Sequence, residues 1–457
     1  MVTLPRLVIA APASGSGKTS IATGLLGAFR ARGLTVSPHK VGPDYIDPGY
    51  HSIAAGRPGR NLDPWLVGEE RIAPLFVHGA STPTPADIAV IEGVMGLFDG
   101  AAGRGTFAST AHVAQLLDAP IVLVVDATGM GRSIAALVHG FATYATDVRI
   151  GGVILNRVRS VRHGAILRTA LNEVGVPVLG EVARQAALAT PSRHLGLVPA
   201  AERTDEAMRT VTALADVVAR DVDLDALLQV ARAAGPIEAA APFPAAVAAQ
   251  SGRVRIAIAG GAAFTFGYAE QVELLVGAGA DVVSFDPIAD EKLPDDVAGL
   301  VLGGGFPETY ARELSANESM RASVAELVRS GVPVAAECGG LLYLGGQLDG
   351  LPMCGVLDTT AAMTDRLTLG YREAVAATDS LLFAEGTRVR GHEFHRTECR
   401  PNDGSQSAWH WRTDADAVHE GFVVGNVHAS YLHLHWAGIP DIAARFVAAC
   451  IDARDAR

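Results

Sequence analysis

The sequence predicts an α/β protein made of two units, each a parallel sheet flanked by helices. Three observations predict it. Short, continuously apolar Val/Ile/Leu runs alternate with Ala-rich helical stretches from residue 6 to about 230. A Pro/Ala/Gly-rich segment without usable periodicity, PIEAAAPFPAAVAAQSG, follows over 236–252 and reads as a linker. The alternation then restarts at residue 253. A length of 457 residues agrees, because roughly 150 residues is usual for one domain. The expected division is 1–235, a linker over 236–252, and 253–457.

In the first unit the strands are RLVIAAP (6–12), IAVIEG (88–93), PIVLVVDA (120–127) and IGGVILNRV (150–158). Runs this uniformly apolar belong to strands covered by helices on both faces. TSIATGLLGAFRARG (19–33) is the first helix, with Arg in its last turn and a glycine at its end. In the second unit RVRIAIAGG (253–261), ADVVSFDP (280–287), GLVLGGG (299–305) and VPVAAECGG (332–340) repeat the strand–loop–helix rhythm. The tail has strand-like segments of another kind, rich in Gly, His and aromatics, over 386–398 and 421–433.

Hydrophobic residues make up 49% and charged residues 19%, a globular composition that excludes wholesale disorder. Lys+Arg is 37 against Asp+Glu 49, a net charge of −12, which argues against a nucleic-acid or anionic-membrane partner. An anionic small substrate held in a local basic pocket stays compatible with that balance. The apolar runs are of strand length, so none spans a bilayer. The start, MVTLPRLVIAAPASG, lacks the features of a signal peptide and reads as a first strand. Four cysteines (Cys338, Cys354, Cys399, Cys450) show no CxxC or zinc spacing, so a reduced, cytoplasmic thiol protein is expected. Nothing decides whether the chain pairs as a homodimer.

APASGSGKTS (11–20) follows a strand and opens a helix, the context a phosphate loop requires. Gly15 and Gly17 let the backbone approach phosphate oxygens, and the N–H groups of Ser16 and Ser20 lie along the same turn. Lys18 reaches the terminal phosphates of ATP, and Thr19 offers its hydroxyl to Mg²⁺. The first glycine of the usual pattern is replaced by Pro12. Phosphoryl transfer also needs carboxylates, and Asp44, Asp47 and Glu92 are the candidates. Asp126, also at a strand end, competes with Glu92, and spacing does not separate them.

VPVAAECGGLLYLG (332–345) sets Cys338 at a sharp strand-to-helix turn. This is a nucleophile elbow with Cys in place of Ser: an exposed thiol, a free Gly339 N–H for an oxyanion, and a helix N-terminus that favours thiolate. Gly304, in the Gly303–Gly305 turn, supplies a second oxyanion donor. His433 and His435 in ASYLHLHW (429–436) are two apart in a strand-like segment, so they share a face, and either can serve as base. HEFH (392–395) lacks a third ligand nearby, so His392 and His395 read as pocket or hydrogen-bonding residues rather than zinc ligands.

Taken together these motifs resemble the two-domain cobyrinic or hydrogenobyrinic acid a,c-diamide synthases of cobalamin biosynthesis, over essentially the whole chain. The phosphate loop and KVGPDYIDPGYH (40–51) look like that family's ATPase half, itself similar to dethiobiotin synthetase. LGGGFPE, AECGGLLYL, GHEFH and SYLHLH look like its class I glutamine amidotransferase half. The resemblance implies a glutamine-hydrolysing ligase. Cys338 opens glutamine with His433 as base, and the ammonia displaces phosphate from a substrate carboxylate activated by MgATP. It also implies that Thr19, Asp44 and Glu92 hold Mg²⁺, that Asp44, Asp47 and Glu92 surround carboxylate activation, and that Asn156 reads the adenine edge. Many class I glutaminases carry a carboxylate two residues after the histidine, where this chain has His435.

Two other readings stay open from the sequence. One keeps the chemistry but changes the substrate, as in cobyric acid synthase or another tetrapyrrole amidase; KVGPDYIDP favours the a,c-diamide branch. The other is a ParA- or MinD-like ATPase switch carrying an inert amidotransferase-like unit.

Overall fold

A computed structural model describes residues 2–184, 192–193, 196–197, 200, 204–238, 243, 253–413, 416–439 and 441–457. The chain divides into two compact units, Met1–Phe243 and Pro244–Arg457. Of the linker expected over 236–252, only 236–238 and 243 lie among the described residues.

The first unit holds a seven-stranded sheet of β1 (Arg6–Ala10), β2 (Val36–Val41), β3 (Arg60–Leu62), β4 (Ile88–Glu92), β5 (Ile121–Asp126), β6 (Ile150–Val158) and β7 (Val178–Ala183). Their order is β3-β2-β4-β1-β5-β6-β7, and every pairing is parallel. The four strands expected here are present as β1, β4, β5 and β6. A short pair, β8 (Ser192–Arg193) with β9 (Gly196–Leu197), belongs to the same unit.

The strand β2 departs from expectation. Its sequence VSPHKV is too polar to read as a core strand, yet all six residues are buried. Tertiary pairing overrides composition here, because the charged end of Lys40 is met by carboxylates instead of water. The first helix, α1 (Lys18–Ala31), is close to the expected 19–33, and the chain leaves it through Gly33 in the left-handed region. A second helix, α2 (Asp47–Ala55), starts with Pro48 in its first turn.

The second unit carries a six-stranded sheet in the order β11-β10-β12-β13-β21-β20. Its strands are β10 (Val254–Ala259), β11 (Ala280–Phe285), β12 (Val297–Leu302), β13 (Val334–Glu337), β20 (Phe422–Val424) and β21 (Val427–Ser430). They run parallel except for the β20–β21 hairpin. Beside it lies a second sheet formed by β14 (Gln347–Leu348), β15 (Leu351–Pro352), β16 (Thr360–Ala376), β17 (Arg388–Arg400), β18 (Trp409–Arg412) and β19 (Ala417–Glu420). Its main feature is the long antiparallel β16–β17 pair. The segment 386–398 becomes β17, whereas 421–433 splits into two short strands around Gly425, whose φ is +56°. The partner β16 escapes sequence reading because most of its residues are exposed or half-buried and show no clean alternation.

Candidate active sites

In the first unit, β1 runs between β4 and β5, so the loop leaving β1 lies at the carboxyl edge of the sheet where the chain switches sides. Gly15 and Gly17 have φ of +78° and +97°, conformations that glycine adopts without strain. Gly17 is also hemmed in: a Cβ there would stand 2.2 Å from Asn156 Nδ2. Asn156 donates that amide to the Ser16 carbonyl at 2.9 Å, so it braces the loop from the end of β6. Ser16 closes the turn by donating to Ala13 O at 2.9 Å.

Lys18 is buried and donates to the carbonyls of Met95 at 2.5 Å and Ala13 at 3.4 Å. Burial, with Lys40 nearby, lowers its ammonium to about 8. Thr19 Oγ1 donates to Glu92 Oε1 at 2.6 Å and stands 3.2 Å from Asp47 Oδ2. Between the carboxylates sits Lys40 Nζ, 2.6 Å from Asp47, 2.9 Å from Glu92 and 3.8 Å from Asp44. His51 Nε2 lies 2.7 Å from the other oxygen of Glu92. Burial opposes ionisation of Glu92, but Lys40, His51 and Thr19 outweigh it and hold the carboxyl far below its usual range. Asp47 moves the opposite way, raised by burial and by Asp44.

The geometry separates the sequence candidates. Glu92 meets the phosphate-loop threonine, whereas Asp126 is taken by the Arg157 guanidinium and by the Thr128 N–H at 2.9 Å. Asp44 holds the start of α2 with one oxygen and turns the other toward Lys40. Its Oδ1 accepts the N–H groups of Ile46 at 2.8 Å and Asp47 at 3.0 Å. Of the two aspartates, Asp47 is the one that reaches Thr19, beside Glu92. Lys40 and His51 are functional residues that the sequence reading misses; a Lys four and seven residues before Asp44 and Asp47 is the available signal.

In the second unit, Cys338 follows β13 and carries φ +47° and ψ −99°, the strained turn of a nucleophile elbow. The helix Gly339–Leu344 starts directly after it. Two expectations fail at this residue. The thiol is buried, 3% exposed, rather than open. Burial, with Glu308 and Glu337 adding to it, raises the thiol strongly; the Gly339 N–H pulls the other way and does not win. A six-residue helix in a desolvated site does not stabilise thiolate, so the resting nucleophile is a thiol that needs a base.

Glycines let the pieces approach. A Cβ at Gly304 would stand 2.4 Å from His433 Cε1, and one at Gly340 would stand 2.2 Å from Leu302 O. A Cβ on Gly339 would lie 3.1 Å from the Gly305 nitrogen, so the amide of this turn nearest the elbow is that of Gly305, while Gly304 faces the imidazole. Gly304 O accepts from Phe266 N at 3.0 Å.

His433 is buried and bridges by backbone to His392, with N···O distances of 2.9 and 3.0 Å. Residues 431–435 form no continuous strand. The rings of His433 and His435 nevertheless turn to one segment: His433 toward Phe266 at 6.3 Å, and His435 stacked on Tyr268 at 4.1 Å. Each has its own carboxylate, Glu337 Oε2 at 3.9 Å from His433 Nδ1 and Glu270 Oε2 at 3.9 Å from His435 Nε2. His435 Nδ1 also accepts from Ala437 N at 3.3 Å. Desolvation lowers the His433 imidazole to about 3, so it rests neutral and able to accept a proton.

A cavity of about 700 Å³ opens beside this centre, lined among others by Arg372, Glu393, His395, Cys399 and Tyr431. Cys399 and Tyr431 stand close enough to Cys338 to perturb its charge or feel it. Arg372 Nε donates to the buried Glu393 at 2.5 Å, and His395 stacks on Tyr431 at 3.8 Å.

A phosphate loop on a parallel sheet and a cysteine elbow with a buried imidazole define a two-unit ATPase and glutamine amidotransferase. Family models agree: residues 7–198 match the CobQ/CobB/MinD/ParA nucleotide binding domain, and 255–440 match the CobB/CobQ-like glutamine amidotransferase domain. The chain is 59% identical to hydrogenobyrinate a,c-diamide synthase of Streptomyces coelicolor, with 98% of each chain covered. It is 55% identical to the Thermobifida fusca protein of that name, covering 98% of this chain and 97% of the other. It is 45% identical to cobyrinate a,c-diamide synthase of Gloeobacter violaceus, with 97% of each covered. The chain belongs to the hydrogenobyrinate and cobyrinate a,c-diamide synthase family. Among the described residues no helix is long and apolar enough to cross a membrane.

Proposed function

We propose that this chain is a ligase that uses ATP and glutamine to amidate the a and c side-chain carboxylates of hydrogenobyrinate, with residues 1–235 activating the carboxylate and 253–457 releasing ammonia. The observation that carries the reading is the strained Cys338 elbow and the buried His433, both against Gly304 or its neighbour, on a chain that also holds the Lys18–Thr19 loop against Glu92. The metal-free ring is preferred to the cobalt-loaded one because relatives at 59% and 55% identity carry that name.

Glutamine occupies the cavity beside Cys338, with Arg372 facing its α-carboxylate and Glu393 its ammonium. His433 takes the thiol proton as Sγ attacks the amide carbon, and then delivers it to the departing nitrogen as ammonia leaves. Water, activated by the same imidazole, hydrolyses the thioester to glutamate. The N–H groups of Gly339 and the Gly304–Gly305 turn face the oxyanion. A neutral imidazole and an un-ionised thiol suit this order of events, since no charge forms until the amide is in place.

In the first unit the backbone of Gly15, Ser16 and Gly17 surrounds the ATP phosphates, Lys18 leaves Met95 O for the terminal phosphate, and Asn156 holds the loop. The oxygens of Thr19, Asp47 and Glu92 are the hard donors Mg²⁺ prefers, and Asp44 stands behind them. When bound, Mg²⁺ offsets charge on the phosphate oxygens. Lys40 keeps the carboxylates from repelling the substrate carboxylate that accepts the γ-phosphoryl group. Ammonia then attacks the acyl carbon and inorganic phosphate departs, leaving the amide.

Purified protein is incubated with MgATP, glutamine and either hydrogenobyrinate or cobyrinate, and the products are weighed by mass spectrometry. Two amide increments on hydrogenobyrinate are expected. No increment on either ring, or two on cobyrinate alone, overturns the assignment.

A further inference from the structure

A histidine base works best when its second nitrogen is held, so that the tautomer and ring orientation are set and the imidazolium is offset when it forms. The residue two places after His433, where many glutaminases keep a carboxylate, is His435, and it is engaged by Tyr268, Glu270 and the Ala437 N–H. The carboxylate near His433 comes from elsewhere. Glu337 is the last residue of β13, immediately before the nucleophile, and opposes Ser430 in the parallel β13–β21 ladder. That register brings it alongside the segment leading to His433, and its Oε2 stands 3.9 Å from His433 Nδ1. In an uninterrupted strand, residues 337 and 338 would point to opposite faces. The φ of +47° at Cys338 breaks that alternation, which allows two consecutive side chains to serve one imidazole.

We propose that Glu337 is the positioning residue of the glutaminase centre: it holds the Nδ1–H of His433, leaves Nε2 to take the Cys338 proton, and offsets the imidazolium. The third member of the triad is thus supplied by the strand that ends in the nucleophile, not by the histidine's own segment. This rests on the reading of Cys338 and His433 as the glutaminase pair.

The surroundings support it. His433 is faced by Glu337 and by His392 and His395, both of which disfavour its protonation. Glu337 is faced by His433, the Trp436 indole and the Leu434 N–H, and burial raises its carboxyl to about 8. Cys338 is faced by Glu308, Glu337 and Cys399, and its thiol ionises well above that range. A carboxylate raised by burial becomes ionised as pH rises through its own value. Glutamine hydrolysis should therefore climb toward pH 8 and then level off.

The test measures glutamate release and ammonia-dependent amidation across pH 6–9.5 for the full chain and for Glu337→Gln, Glu337→Asp and Cys338→Ala. The expected result is that Glu337→Gln lowers kcat for glutamine by about 10²-fold or more, leaves KM nearly unchanged and flattens the rising limb. Glu337→Asp should recover part of kcat together with the limb, and ammonia-dependent amidation should persist in both. Unchanged kcat and an unchanged limb in Glu337→Gln would overturn the proposal. Equal loss of ammonia-dependent amidation, or no recovery in Glu337→Asp, would also overturn it by showing a structural role. Glutamate release surviving in Cys338→Ala would instead refute the underlying pair.

Discussion

Asn156 Nδ2 donates to the Ser16 carbonyl at 2.9 Å, so an amide at the end of β6 holds the phosphate loop by its backbone. The family resemblance gives Asn156 to the adenine edge; the contact its amide makes in the structure is with the loop. Asn156→Ala removes one partly buried hydrogen bond, worth about 1 kcal/mol. We expect about fivefold weaker ATP binding in titration calorimetry with glutamate release from glutamine unchanged.

Cys338→Ala should abolish glutamine-dependent amidation and spare amidation with free ammonia, because the thiol serves only nitrogen release. Lys18→Ala should remove both routes, since carboxylate activation precedes the choice of amine. Product masses from the two variants with each nitrogen source check this. Equal losses in Cys338→Ala would contradict separate half-reactions.

Gly304→Ala places a methyl group where His433 Cε1 already lies, at 2.4 Å. The ring must move, and the base is lost without touching its chemistry. Glutamate release should fall by about 10²-fold or more, while ammonia-dependent amidation stays near the parent rate.

Nucleotide affinity should fall as pH rises through about 8, the value to which burial and Lys40 lower Lys18. The sign follows from its charge: the ammonium that attracts phosphate is fully present below that value and lost above it. Lys18→Arg keeps a cation throughout. Binding of a fluorescent ATP analogue to that variant should be flat from pH 7 to 9.5.

If glutamine binds as proposed, with Arg372 facing its α-carboxylate and not its amide, Arg372→Ala should raise KM for glutamine with less effect on kcat. Steady-state glutamate release measures the split. A change in kcat alone would displace Arg372 from the binding role.

The sequence alone determined the α/β class, the phosphate loop and the cysteine elbow, because these are local devices. An apolar run of strand length, a glycine pair and a following helix lie within a few residues of one another, and short-range sterics decide their shape. Glu92 and Asp126 looked alike at that level, both being acidic residues ending apolar strands. Only the tertiary structure separated them, by bringing Thr19 to one and Arg157 to the other. The same holds for Lys40 in the polar strand β2 and for Glu337 beside His433, whose partners are 52 and 96 positions away in the chain for Lys40–Glu92 and Glu337–His433. The state of Cys338 was also a tertiary matter. Sequence shows the helix start that would lower a thiol, but burial and two nearby carboxylates, which raise it, come into being only when the chain has folded.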